Sequence, residues 1–330
     1  MKFKKPKFWD LKKPNFISYF LLPFTLPLIL NNFFLKIKPN KKNELIKTIC
    51  VGNIYLGGTG KTPTVLKIYR ILKDLKFKVS TAKKFYISQQ DENIILQKKT
   101  DFLTAKKREE IIDKAIKNRN DLVIFDDGLQ DRTIKYDLQF VCFESETFIG
   151  NGCLIPSGPL REKLSSLKKY DCAFIKNNNN KIDQQISLIK RYNSEIKIFE
   201  TYFEINNLGE FDRSKNYLIF SGIGNHLSFK KTLEKNNFKI SKEIVFPDHY
   251  QYSKNEIEKI LSHAEENKTE IITTYKDFVK ISNFGFNKIK FINVDLKIKD
   301  EKNFINFLKK KNKRKTLNIL HNFWQLFFYF

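Results

Sequence analysis

Arginine is scarce in this chain of 330 residues: 8 of its 61 basic residues are Arg and the other 53 are Lys. Surfaces that read phosphates and base edges favour the bidentate guanidinium fork. The formal net charge of +25 therefore does not lead to a nucleic-acid partner. Two readings of it stay open: a general lysine bias, in a chain also rich in Asn and Ile, or a preference for anionic membranes and phosphorylated substrates. Cysteine is scarce too. Cys50, Cys142, Cys153 and Cys172 have neither the close pairing of a zinc site nor the density of a disulfide-stapled fold. They read as reduced thiols of a cytoplasmic compartment. No repeat of solenoid length is visible. What remains is a chain with 41% hydrophobic residues and room for roughly two domains.

Residues 1–40 differ from the rest. Lys2, Lys4, Lys5, Lys7, Lys12 and Lys13 precede an almost uncharged run from Phe16 to Leu35, which Lys36 and Lys38 close. The run is long enough to span a bilayer, while Pro23, Pro27, Ser18, Asn31 and Asn32 also fit insertion along the interface. A buried core helix is a third reading. A signal peptide fits less well, because no small-x-small cleavage site follows the run. The other end, 309–330, places six basic residues between Lys309 and Lys315 before a Trp- and Phe-rich stretch. That composition suits a membrane surface or a tail helix docked on the protein.

From Thr48 onward, short apolar runs alternate with helix-period stretches, the pattern of βαβ units around a parallel sheet. Thr48 to Ile54, Leu122 to Phe125 and Gln139 to Phe143 read as strands. Thr62 to Leu75 reads as a helix with Val65, Ile68, Tyr69, Leu72 and Leu75 on one face. Further strands are expected near Tyr217 to Phe220, Ile271 to Thr274 and Lys290 to Val294. The expected organisation is an α/β domain over 41–210 and a second, smaller α/β domain over 211–308.

The strongest local signal is Gly57-Gly58-Thr59-Gly60-Lys61-Thr62 between a strand and a helix. Glycines let successive backbone N–H groups turn toward phosphate oxygens, the helix N-terminus adds its positive end, Lys61 neutralises β/γ charge, and Thr62 can ligate Mg²⁺. Tyr55 stands where the strict pattern asks for another Gly, so this is a paired-glycine variant. Asp126 and Asp127 then end an apolar strand, where a carboxylate reaches the metal beside such a loop. Asp-Gly is also a common turn pair, and only the upstream phosphate loop favours the metal reading.

Several segments together resemble the tetraacyldisaccharide 4'-kinase family. They are Val51-Gly52-Asn53-Ile54, the phosphate loop with Pro63, Asp126 to Gln130, Gly150-Asn151-Gly152 through Pro156 to Glu162, and Phe246-Pro247-Asp248-His249. Ser221 to Asn225 and Thr274 to Asp277 match in order, so the resemblance runs from about Phe16 to Leu308. It implies a P-loop domain with a second α/β domain and an N-terminal membrane-associated helix. It implies transfer of the ATP γ-phosphoryl group, with Mg²⁺, to the 4'-hydroxyl of an acylated glucosamine disaccharide 1-phosphate at the cytoplasmic face of the bacterial inner membrane. Asp91, in Asp91-Glu92, corresponds to the family's base, helped by a His that corresponds to His249. Arg161 would contact phosphate, and Glu162 would stand near the metal with Thr62, Asp126 and Asp127.

The sequence departs from the family at several points. Lys83-Lys84-Phe85-Tyr86 stands where Arg-Gly-Tyr is usual, and no role follows for it. Asn93 replaces Pro after Asp-Glu, Asp131 replaces His after Gln130, and Tyr275 replaces Glu. The main rival is a membrane-bound P-loop ATPase of the partitioning or targeting type. Such ATPases usually carry an extra Lys near the loop start, which Asn53 to Leu56 lacks.

Overall fold

The computed structural model describes residues 5–37, 41–42, 45–85, 90–131, 133–177 and 180–311, with the side chains of 35–37, 41–42 and 90–91 outside that description. Residues 312–330, most of the basic and aromatic tail, also lie outside it, as do Lys2, Lys4 and Tyr86.

The main body is an eight-stranded sheet. In chain order its strands are β2 (Lys47–Gly52), β3 (Val79–Lys84), β4 (Phe102–Ala105), β5 (Leu122–Asp126), β7 (Leu138–Glu144), β8 (Cys172–Lys176), β9 (Lys197–Ile205) and β14 (Val294–Ile298). A two-residue parallel pair, β1 (Lys41–Lys42) with β6 (Ile134–Lys135), lies outside the sheet. The spatial order is β14-β9-β8-β7-β2-β5-β3-β4, and all neighbours run parallel except β14 and β9. The central strands are apolar on both faces because helices cover both. One face packs α3 (Lys61–Asp74) and α4 (Gln90–Lys99) through Val65, Ile68, Leu72 and Leu96, and the other packs α5 (Arg108–Lys117) and α6 (Asp183–Tyr192) through Ile111 and Ile189.

The second lobe is a four-stranded parallel sheet in the order β11-β10-β12-β13, built from β10 (Asn216–Ser221), β11 (Lys239–Val245), β12 (Glu270–Thr274) and β13 (Ile289–Ile292). Helix α7 (His226–Lys235) covers one face, and α8 (Lys254–Glu266) with α9 (Tyr275–Ile281) covers the other. The apolar run Lys290 to Val294 reads as one strand in sequence, but in space it divides at Asn293 between the two sheets. The small sheet ends at β13, whereas β14 and the helix at 301–311 return to the large body. There Phe304 and Leu308 are fully buried against Phe140, Phe174 and Phe199.

The apolar run near the N-terminus forms α1 (Phe16–Leu21), a 3-10 turn over Leu22–Thr25 that absorbs Pro23, and α2 (Leu26–Ile37). Phe16–Phe34 is long and apolar enough to cross a membrane, and only 11% of its most apolar window is buried. Phe16, Tyr19, Phe20, Phe24, Phe33 and Phe34 are all exposed. The opposite side is tied down. Asn151 donates to Ser18 Oγ at 2.9 Å, Ser157 Oγ donates to the Ser18 carbonyl at 2.6 Å, and Trp9 Nε1 donates to the Pro156 carbonyl at 3.0 Å. Gly150 has φ +56, and a Cβ there would stand 2.1 Å from the Trp9 carbonyl, so glycine is required. The Gly150-to-Glu162 run thus holds the apolar segment against the body.

Candidate active site

The phosphate loop follows the C-terminal end of β2, where ligands bind in open α/β sheets. Asn53 is fully buried, and its Nδ2 donates to the Gly57 carbonyl at 3.1 Å and to Thr59 Oγ1 at 3.0 Å, which sets the turn. Gly60, with φ +81, caps α3, and Lys61 and Thr62 form that helix's first turn. Gly57, Gly58, Thr59, Gly60, Lys61 and Thr62 all line an interlobe cleft of about 730 Å³.

The end of β5 meets this loop. Thr62 Oγ1 donates to Asp126 Oδ2 at 2.7 Å, while Asp126 Oδ1 is buried and has no hydrogen-bond partner among the described residues. A hydroxyl beside a carboxylate with a spare oxygen fits a hard, oxygen-loving cation. No group of three His, Cys, Asp or Glu side chains that could hold a metal ion occurs among the described residues, so Thr62 and Asp126 are the groups that would hold Mg²⁺. Burial raises the Asp126 carboxyl pKa, and Lys83 at 3.7 Å opposes that rise. Asp127 is placed differently. It lies 3.5 Å from Lys61 and 3.1 Å from Arg161, and these two cations hold its carboxyl below the ordinary range in spite of burial. The described contacts of Glu162 are with Gln130, Tyr170 and Lys169; Gln130 also bonds the Asn53 carbonyl and so joins Glu162 to the loop.

The second lobe closes the cleft. Gly224 lies against Gly58, and a Cβ on Gly224 would stand 2.7 Å from the Gly58 nitrogen. His249 sits in the left-handed region at φ +57, a strained position for a non-glycine residue. Its Nε2 is 3.8 Å from Glu92 Oε1, and Lys276 Nζ approaches the same oxygen at 3.4 Å. Asp91 lies in the first turn of α4, next to Glu92; its side chain is outside the described residues. The described carboxylates that meet the His249 imidazole are therefore Glu92 and, at 3.9 Å, its own neighbour Asp248. Burial works to raise the Glu92 pKa, but Lys276, Lys83 and Lys61 outweigh it and hold the group ionised well below the usual range.

Lys83, to which the sequence assigned nothing, is 2% exposed at the end of β3, pairs with Glu92 and lies 3.7 Å from Asp126. Burial pulls its pKa down, yet Asp126 and Glu92 together push it up to about 12. Lys176, at the end of β8, is likewise buried and lines the cleft. The available signal for both was a lysine ending an apolar strand, a pattern that general lysine abundance conceals.

Comparison with known proteins agrees with this geometry. Residues 30–313 match the family model described as tetraacyldisaccharide-1-P 4'-kinase. The chain belongs to the tetraacyldisaccharide-1-P 4'-kinase family. It is 46% identical over 314 residues to a tetraacyldisaccharide 4'-kinase of Pelagibacter ubique, covering 95% of this chain and all of that one. It is 33% identical to a tetraacyldisaccharide 4'-kinase of Rickettsia akari, covering 89% of this chain and 93% of that relative. In fold it is similar to the LpxK structure from Aquifex aeolicus in complex with ATP. The TM-score is 0.67 at 22% identity, with 89% of this chain and 99% of that chain covered. As a family member the chain is a kinase with the P-loop α/β fold that the strand order displays.

Proposed function

We propose that this chain transfers the γ-phosphoryl group of ATP to the 4'-hydroxyl of a tetraacylated glucosamine disaccharide 1-phosphate, with Asp91 as base. The chain is an ATP-dependent kinase of the lipid A disaccharide, in keeping with its family. The observation that carries the division of labour is the meeting of both lobes at one cleft. Lys61, Thr62 and Asp126 stand on one side, and His249 and Lys276 on the other, with Glu92 between them.

Phosphoryl transfer leaves a protein mainly positioning and charge neutralisation to perform. Loop amides from Gly57 to Gly60 cradle the phosphates, and Lys61 and Arg161 offset charge developing at the transferred group. Thr62 and Asp126 would hold Mg²⁺, with Asp127 and Glu162 in its surroundings, and the ion would supply positive charge to offset that of the phosphates. Asp91 accepts the proton of the attacking sugar hydroxyl, and His249 shares in that transfer. The exposed face of α1 and α2 rests in the membrane that holds the acylated acceptor, and the cytoplasmic face of the inner membrane supplies ATP on the same side.

The test is direct. Purified protein in detergent with ATP, Mg²⁺ and tetraacyldisaccharide 1-phosphate is expected to yield a lipid carrying a second phosphate. ATP hydrolysis without that product would support the ATPase reading instead.

A further inference from the structure

Strand order gives the phosphate loop two flanks. β5 and β3 lie on one side of β2 and deliver Asp126 and Lys83, whereas β7 and β8 lie on the other and deliver Glu144 and Lys176. The metal-binding groups Thr62 and Asp126 place the γ end of a triphosphate toward the β5 flank, so the nucleoside end runs toward β8. Pro63 follows Thr62 and has no N–H, which removes one of the free donors of the first turn of α3. A cation from elsewhere is therefore wanted at the α-phosphate.

Lys176 occupies that place. Its residue is 4% exposed yet borders the cleft, and its Cδ lies 3.8 Å from where a Cβ on Gly60 would be. Nζ is paired with Glu144, donates to Ser228 Oγ of α7 at 2.9 Å and lies 4.8 Å from the centroid of Phe203. Three contacts fix one ammonium group, and Glu144, 1% exposed, is the residue that positions it. Resting on the kinase reading above, we infer that Lys176 is a second nucleotide-binding cation, which contacts the α-phosphate and ribose end of ATP across the loop from Lys61.

Two measurements on the full chain in detergent test this. The first is ATP affinity of the K176M/E144Q variant, which removes both charges and orphans neither. Loss of one charge-assisted contact predicts a Kd raised roughly tenfold or more; an unchanged Kd would overturn the assignment. The second uses the unmodified chain and so does not depend on the variant folding. Benzoyl-AMP, a mixed anhydride at the α-phosphate, is added and the acylated lysine is mapped. After the Lys176 ammonium gives up a proton to water, its amine attacks the carbonyl carbon, the acyl–oxygen bond breaks with its electron pair leaving on AMP, and the nitrogen releases a second proton to water as the amide forms. Excess ATP is expected to block the label. Acylation confined to other lysines would overturn the assignment while leaving the kinase reading intact. An unmodified chain that binds no ATP at all would overturn both.

Discussion

Asn207 and Asn293 clasp the two chain crossings between the lobes. The Asn207 side-chain oxygen accepts from the Asn293 backbone N–H at 2.9 Å, its amide donates to the Phe291 carbonyl at 2.9 Å, and the adjacent Asn206 N–H reaches the Asn293 carbonyl at 2.9 Å. Because the chain leaves the large sheet after β9 and rejoins it as β14, these crossings form a narrow double hinge. The cleft residues His249 and Lys276 hang from it.

Asn207→Ala removes the shared bond and leaves a part-buried N–H without that partner. We predict a loss of about 1–3 kcal/mol of stability by urea unfolding, together with faster amide exchange at Phe291 to Val294. Wild-type exchange at these positions would reject the hinge role.

Lys61→Met removes the cation beside Asp127. We predict a fall in turnover of about 10²–10³-fold, the usual effect of losing one charge-stabilising group at the reacting centre. Phosphorylated lipid is the readout, and retention of a tenth of wild-type rate would speak against the role.

Asp91→Ala and His249→Ala are expected to lower kcat by about 10²–10⁴-fold with ATP affinity changed little. The double variant is expected to lose little beyond either single one, because both serve one proton transfer. Equal losses in kcat and nucleotide affinity would reject the proton-transfer assignment.

Glu92 has a folded-state pKa held down to about 2, against an ordinary 4.5, by Lys276, Lys83 and Lys61 acting against burial. A depressed carboxylate stabilises the fold above its unfolded pKa, and that stability is lost as pH falls through the folded pKa. The stability difference between wild type and Glu92→Gln should therefore be constant from neutral pH to about 5 and shrink steadily between about 4.5 and 2. A difference that widened on acidification would contradict the assigned direction.

Phe20→Glu with Phe24→Glu places two charges on the exposed face of the apolar helices. Binding to phospholipid vesicles is expected to fall at least tenfold, since each buried aromatic contributes about 1.5–3 kcal/mol. ATP affinity should be unchanged. Equal sedimentation of variant and wild type with vesicles would remove this face from the membrane contact.

Local patterns were readable wherever one short segment carries its own reason. The phosphate loop needs glycines, a Lys and a Thr in consecutive positions, and the face Val65, Ile68, Tyr69 and Leu72 needs only a 3.6-residue period, so both matched the expected elements. An apolar strand ending after the phosphate loop marked Asp126 and Asp127, the resemblance marked Arg161 and His249, and the comparisons established the family. β11 escaped notice because its exposed, mostly polar residues Lys239–Val245 lie at a sheet edge with no apolar run to announce them.

Other features exist only once the chain is folded. Lys83 and Lys176 are two lysines among 53 in sequence, yet each is buried at a strand end beside a carboxylate. Their cost of burial is met by partners on other elements, Glu92 of α4 and Asp126 of β5 for Lys83 and Glu144 of β7 for Lys176. Likewise, the division of Lys290 to Val294 between two sheets follows from the pairing of β14 with β9, which joins residues as far apart in the chain as Ile298 and Thr201. The sequence alone determined where the glycine turn before α3 lies and which helix faces are apolar, since these depend on neighbours in the chain. Tertiary structure decided which charges confront each other across the cleft, because that depends on the strand order and on two crossings held by Asn207 and Asn293.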